Sequence, residues 1–90
     1  MSERQYNLFW AALEKVAETT GSEIPEVMNL LHPIRITIHT EDGIIYKPFT
    51  EYTTYEFSEF IDKALDRLAT AFNLQIDITK SKPIVYAKQS

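Results

Sequence analysis

The sequence predicts a single α+β domain over residues 1–90. Its order is two N-terminal helices, a β-hairpin, one long amphipathic helix, then one or two short strands. Three observations carry that reading. Apolar residues recur at three- and four-residue steps in two long segments. Between those segments, Ile34, Ile36 and Ile38 alternate with Arg35, Thr37 and His39. A Glu41-Asp42-Gly43 turn then joins that run to a second β-rich run.

The first helix is expected from about Arg4 to Thr20. Phe9, Leu13, Val16, Ala17 and Thr20 form one face, and Tyr6, Leu8, Trp10, Ala11 and Ala12 broaden it. A helix this widely apolar is buried on more than one side, which predicts a central helix or a homodimer contact through it. Gly21 is the expected C-cap. A shorter helix is expected over 25–31, with Pro25 in its first turn and Val27, Leu30 and Leu31 buried. Pro33 is expected to close it.

The hairpin is expected to start at Ile34 and to return through 44–47, with Pro48 stopping the second strand. The long helix is expected over 54–72. Phe57, Phe60, Ile61, Ala64, Leu65, Leu68, Ala69 and Phe72 form its apolar face, and Asn73 is its left-handed cap. It is expected to cover one face of a small sheet. Residues 74–78 read as a third strand, Lys80-Ser81-Lys82-Pro83 as a turn, and 84–87 as a fourth strand.

The stretch FTEYTTYEFSEF, residues 49–60, is dense in aromatics and glutamates. Thr53 and Glu56 match a capping box, with Tyr52 and Phe57 as the flanking hydrophobic staple. That local role leaves Tyr55 unexplained, with Tyr46 and Phe49 as candidate neighbours. An exposed aromatic can stack on a base or anchor a protein.

Composition sets limits on function. There is no cysteine, so disulfides, thiolate metal sites and thiol nucleophiles are excluded. The two glycines, Gly21 and Gly43, cannot build a phosphate-binding loop. No serine stands in a nucleophile-elbow context. His39-x-Glu41-Asp42 lacks a second histidine at ligand spacing, and Glu14 with Glu18 lacks the histidine of a di-metal motif. No catalytic residue, metal or cofactor is therefore assigned, and the chain is not expected to be an enzyme. The longest apolar run, residues 8–13, falls far short of the ~20 residues of a membrane span. A cytoplasmic protein without a membrane partner is expected.

The net charge is −4, against the basic balance usual for a binder of duplex phosphates. The segment from Glu41 to Asp66 carries seven acids against two lysines, whereas Lys80, Lys82 and Lys88 gather near the C-terminus. Lys47 is a candidate to join those lysines in a basic edge, and the alternative reading is solvated strand ends that protect a sheet edge.

Two stretches resemble the phage recombination proteins of the Orf/NinB family. In SERQYNLFWAAL, the resemblance lies in Ser2, Gln5, Trp10 and Leu13, and it departs at Tyr6, where the family has Asn. In TTYEFSEFIDKALDRLATAFNLQI, it lies in Glu56, Phe57 and Glu59. The hairpin has no counterpart. The resemblance implies a non-enzymatic phage or prophage accessory protein of homologous recombination, a dimer that binds single-stranded DNA and the host single-strand-binding protein. Under that reading Arg4, Lys47, Lys80 and Lys82 meet phosphates and Tyr55 stacks on a base. A second reading comes from the acidic stretch. It is a protein-binding module, or an inhibitor of a host nucleic-acid-binding protein with a basic surface. Its face would be Glu51, Glu56, Glu59, Asp62 and Asp66, with Tyr52 and Tyr55 as anchors.

Overall fold

The computed structural model describes residues 2–79 and 82–88. The order is α1 (Glu3–Thr20), α2 (Ile24–Asn29), β1 (Thr37–Thr40), β2 (Gly43–Tyr46), α3 (Thr54–Phe72), β3 (Leu74–Thr79) and β4 (Lys82–Ala87). This is the expected α+β architecture, with the strands in two separate antiparallel hairpins, β1–β2 and β3–β4.

α1 starts on a capping box that pattern reading had not used. The Gln5 amide donates to Ser2 Oγ and the Ser2 amide donates to Gln5 Oε1, both at 3.1 Å. Gly21 ends the helix at φ 71°, the left-handed value a C-cap requires. Phe9, Ala12, Leu13, Val16 and Ala17 are buried. Thr20 is only partly covered, and its hydroxyl donates to the Val16 carbonyl at 2.8 Å. The breadth of the apolar surface has an explanation within the chain, because α1 packs against α2, α3 and β4.

α2 is shorter than expected. It ends at Asn29, before Leu30 and Leu31. Pro33 does not close it but lies inside a separate 3₁₀ turn, His32–Ile34. In that turn the Ile34 amide donates to the Leu31 carbonyl and the Arg35 amide to the His32 carbonyl. Ile34 is therefore not a strand residue, and β1 begins three positions later than the alternation implies. The pattern misleads because Ile34 and Ile36 both pack against the core from turn and coil backbone.

The β1–β2 register pairs Thr37 with Tyr46 and Thr40 with Gly43. Positive φ falls on Gly43, at 129°, with Glu41 and Asp42 forming the turn ahead of it. At the root of the hairpin, the Lys47 amide donates to the Ile36 carbonyl at 2.8 Å. The Ile36 amide instead donates to the buried Tyr52 hydroxyl at 3.0 Å. Arg35 Nη2 donates to the Lys47 carbonyl at 3.0 Å. Two of these bonds close the hairpin root, and the one to Tyr52 ties it to the body.

α3 has the expected bounds. The Glu56 amide donates to Thr53 Oγ1 at 3.1 Å, and the Thr53 amide donates to Glu56 Oε1 at 2.9 Å. The Tyr52 and Phe57 rings meet edge to face at 5.9 Å, as a staple should. Asn73 takes the left-handed conformation at φ 54°. α1 and α3 start side by side, joined by Gln5 Nε2 donating to the Thr54 carbonyl. Behind these starts lies an aromatic core. Phe9 contacts Phe49, Phe57 and Phe60 with ring centroids 5.5–5.6 Å apart, mostly in the edge-to-face geometry that aromatic quadrupoles favour.

β3 pairs with β4 from Leu74–Ala87 to Thr79–Lys82, so Lys82 and Pro83 are strand residues and not part of the expected turn, whose Lys80 and Ser81 lie outside the described residues. Leu74, Ile76 and Val85 lie on its inner face against the core, where β4 meets α1 and β3 meets α3. The sheet beneath the helices is thus this C-terminal hairpin alone.

Candidate functional site: the outer face of the long helix

The buried side of α3 holds Phe57, Phe60, Ile61, Ala64 and Leu68. Helical spacing then puts Tyr55, Glu59, Asp62 and Asp66 in one line on its exposed side. Tyr55 is 72% exposed. Its hydroxyl donates to Glu59 Oε1 at 3.1 Å. That bond, reinforced by the carboxylate charge, holds the phenol above its ordinary pKa. Among the described residues, Glu59, Asp62 and Asp66 enter no ion pair.

Beside this line runs a groove between α3 and the segment that leads into β1. Its smaller end, about 150 Å³, is lined by Ile34, Ile36, Glu56, Glu59, Phe60 and Lys63. The larger end, about 400 Å³, continues past Ile34 and Lys63 to Asp66, Arg67, Thr70 and Ala71. The groove therefore has an aliphatic wall and a charged one. Arg67 Nε donates to the Leu30 carbonyl, which joins α3 to the end of α2.

Glu56 stands at the head of the groove but is already engaged. It accepts the Thr53 amide and, at 3.1 Å, the Lys47 ammonium. The backbone bond first, and Lys47 second, hold its carboxyl below the ordinary glutamate value. Glu51 is exposed on the 3₁₀ turn Phe49–Glu51. Tyr52 cannot serve as a surface anchor as expected, because it is 2% exposed. Its ring lies among Phe49, Phe57 and Phe60, and its hydroxyl is needed at the hairpin root.

Among the described residues, Arg4 and Lys82 line neighbouring depressions that share Ala11, whereas Lys47 is paired elsewhere. The ammonium of Lys47 is held by Glu56 at 3.1 Å. Arg4 lines a shallow depression at the start of α1, with Glu3, Asn7, Leu8 and Ala11. Lys82 lines another beside Ala11, Glu14, Lys15 and Glu18, so two acids and one base surround it. Lys80 lies outside the described residues. Tyr55, the proposed stacking residue, sits with the acids of α3.

Sequence reasoning missed Ile34 and Ile36 as groove residues. Their alternation with Arg35 carried a strand signal, and nothing local told which element they would face. It also missed Arg35. Its guanidinium lies 4.8 Å from the Tyr46 ring centre and 4.3 Å from that of Phe49. His32 stacks on Tyr46 at 5.1 Å. Among the described residues, no group of three metal-ligating side chains is present and no helix is long and apolar enough to cross a membrane. No protein-family model matches the chain, and neither a curated protein nor a solved structure matches it.

Proposed function

We propose that this chain is a non-catalytic protein-binding module whose outer α3 face receives a basic segment of a partner protein. The observation that carries this reading is the line Tyr55, Glu59, Asp62 and Asp66, whose three carboxylates enter no ion pair among the described residues. The adjoining groove, with Ile34 and Ile36 on one wall, offers an apolar seat for a side chain next to the charges. Tyr55 supplies an exposed ring at the head of the line, a residue type common among interface anchors. In the recombination setting that the family resemblance implies, a host nucleic-acid-binding protein is a partner of this chemistry.

Direct contact with single-stranded DNA has less support. Its phosphate ligands would be Arg4, Lys47, Lys80 and Lys82, of which Lys47 is paired with Glu56 and Lys82 borders Glu14 and Glu18. A stacking role for Tyr55 would bring a phosphate backbone against Glu59 and Asp62.

The test is a pair of anisotropy titrations, one with a labelled Lys/Arg-rich peptide and one with a labelled single-stranded oligonucleotide. Peptide binding should weaken with salt. The double variant Glu59→Lys/Asp62→Lys should weaken it about tenfold or more, since two favourable contacts become repulsive. DNA binding that survives this variant but is lost in Arg4→Glu/Lys82→Glu would overturn the proposal and favour the recombination-mediator role.

A further inference from the structure

The β1–β2 hairpin leaves an apolar strand edge uncovered. Ile44, Ile45 and Tyr46 are 63%, 51% and 44% exposed, an unusual exposure for three consecutive large apolar residues. β2 also carries no charge and no proline between Gly43 and Tyr46 to guard its edge. The contrast lies within the molecule. β4 opens with Lys82 and Pro83 and packs against α1.

The direction of the free backbone groups follows from the register. Lys47 donates to the Ile36 carbonyl, and bonded pairs alternate along an antiparallel ladder. The bonded pairs are therefore Ile38–Ile45 and Thr40–Gly43, and the non-bonded pairs are His39–Ile44 and Thr37–Tyr46. The N–H and C=O groups of Ile44 and Tyr46 thus point away from β1. Among the described residues, no group bonds to them from outside.

We propose that this edge pairs with the β2 edge of a second copy of the chain, antiparallel about a two-fold axis at Ile45, to form a four-stranded sheet. Three symmetric registers put outward groups opposite one another. Centring on Ile44 runs Tyr46 against the Asp42 turn. Centring on Tyr46 runs Ile44 against Pro48, which has no N–H. Only centring on Ile45 matches each Ile44 with Tyr46 of the other copy and pairs every outward group of both strands.

Side chains agree with that register. Ile44 lies beside Tyr46 of the second copy, a β-branched and aromatic cross-strand pair. Charge agrees as well. Ile44 and Tyr46 share one face of β2, and the Arg35 guanidinium lies over the Tyr46 ring at the root of the hairpin. The antiparallel arrangement carries the Glu41-Asp42 tip of one copy toward the root of the other. There Arg35 has aromatic rings but no acidic partner among the described residues. A two-stranded hairpin is marginal by itself, and four strands are not. This surface is distinct from α1, where the sequence had suggested a dimer contact.

The test is sedimentation over a micromolar to millimolar range, with backbone amide exchange measured at both ends. The wild type should associate to a dimer. The amides of Ile44 and Tyr46 should gain protection with concentration, while those of Ile45 and Lys47 keep theirs. Ile44→Pro removes an outward donor in each copy, half of the new bonds, and leaves the β1–β2 bonds intact. It should raise the dimer dissociation constant about tenfold or more. The folded-state variant Glu41→Lys/Asp42→Lys should weaken the dimer by charge alone. A wild type that stays monomeric at the highest concentration overturns the proposal. So does a dimer whose formation leaves the Ile44 and Tyr46 amides unprotected.

Discussion

Tyr52 stands two residues after an exposed position and one before a helix cap, yet it is among the most buried side chains of the molecule. Its ring fills the aromatic core, and its hydroxyl meets the Ile36 amide, which has lost its ladder partner at the end of β1–β2. A buried polar tip of this kind keeps its place by satisfying a backbone group that would otherwise be costly to desolvate. Tyr52→Phe keeps the ring and removes that acceptor. It should cost about 1 kcal/mol, a fall of about 4–8 °C in Tm for a domain of this size, read by thermal unfolding. An unchanged Tm would mean that the Ile36 amide finds another acceptor. Tyr55 is the opposite case. It lies three residues further on, points to solvent, and donates its hydroxyl to Glu59.

At the scale of the element, α3 is set by its own ends. The capping box at Thr53 and Glu56, the Tyr52–Phe57 staple and the left-handed Asn73 all act within a few residues. Glu56 also carries the Lys47 pair that links this helix start to the hairpin. Because its carboxyl is held below the ordinary value in the folded chain, the unfolded chain binds the proton more tightly. The stability from Glu56 is then fully present above the unfolded-chain pKa, about 4.3, and is lost as pH falls through the lower folded value. Urea midpoints measured against pH should show this acid decline in the wild type. In Glu56→Gln the decline should be shallower, and identical acid limbs would refute the assignment. Glu59, Asp62 and Asp66 owe their alignment to the same helix period, so the acidic line inherits its rigidity from the buried face beneath it.

For the whole molecule, the two hairpins differ in support. β3–β4 lies on α1 and α3, with Leu74 only 2% exposed. β1–β2 is tied down mainly at its root, by the Tyr52 hydroxyl and the Lys47–Glu56 pair. Local opening is easiest where few apolar contacts would be lost. Amide exchange at low protein concentration should therefore be fastest at Ile38 and Ile45 among the strand bonds, and slowest in the Phe9, Phe57 and Leu68 neighbourhoods of the helices. Equal protection in both hairpins would show that the first one has support beyond its root. The groove beside α3 also belongs to this scale, since one wall is the chain entering β1 and the other is a helix twenty residues away in sequence.

The α+β class, the bounds of α3 with its cap and staple, the Gly21 and Asn73 terminations and the turn of the first hairpin were legible from local pattern. Each depends on side chains within one helical turn or one strand pair of its own backbone. The start of β1, the shortness of α2 and the burial of Tyr52 were not. A run of alternating isoleucines reads alike whether its first member sits in a strand or in a proline-led 3₁₀ turn. An aromatic at a helix start reads alike whether it faces solvent or core. The acidic line of the candidate site was written in the spacing of Glu59, Asp62 and Asp66. Its groove, the diversion of Lys47 to Glu56 and the free edge of β2 were not. By itself the sequence determined which elements form and where the two long helices stop, because caps and periodicity are short-range. Only the tertiary structure decided which charges neutralise one another and which apolar residues remain outside, because those outcomes depend on contacts between residues far apart in the chain.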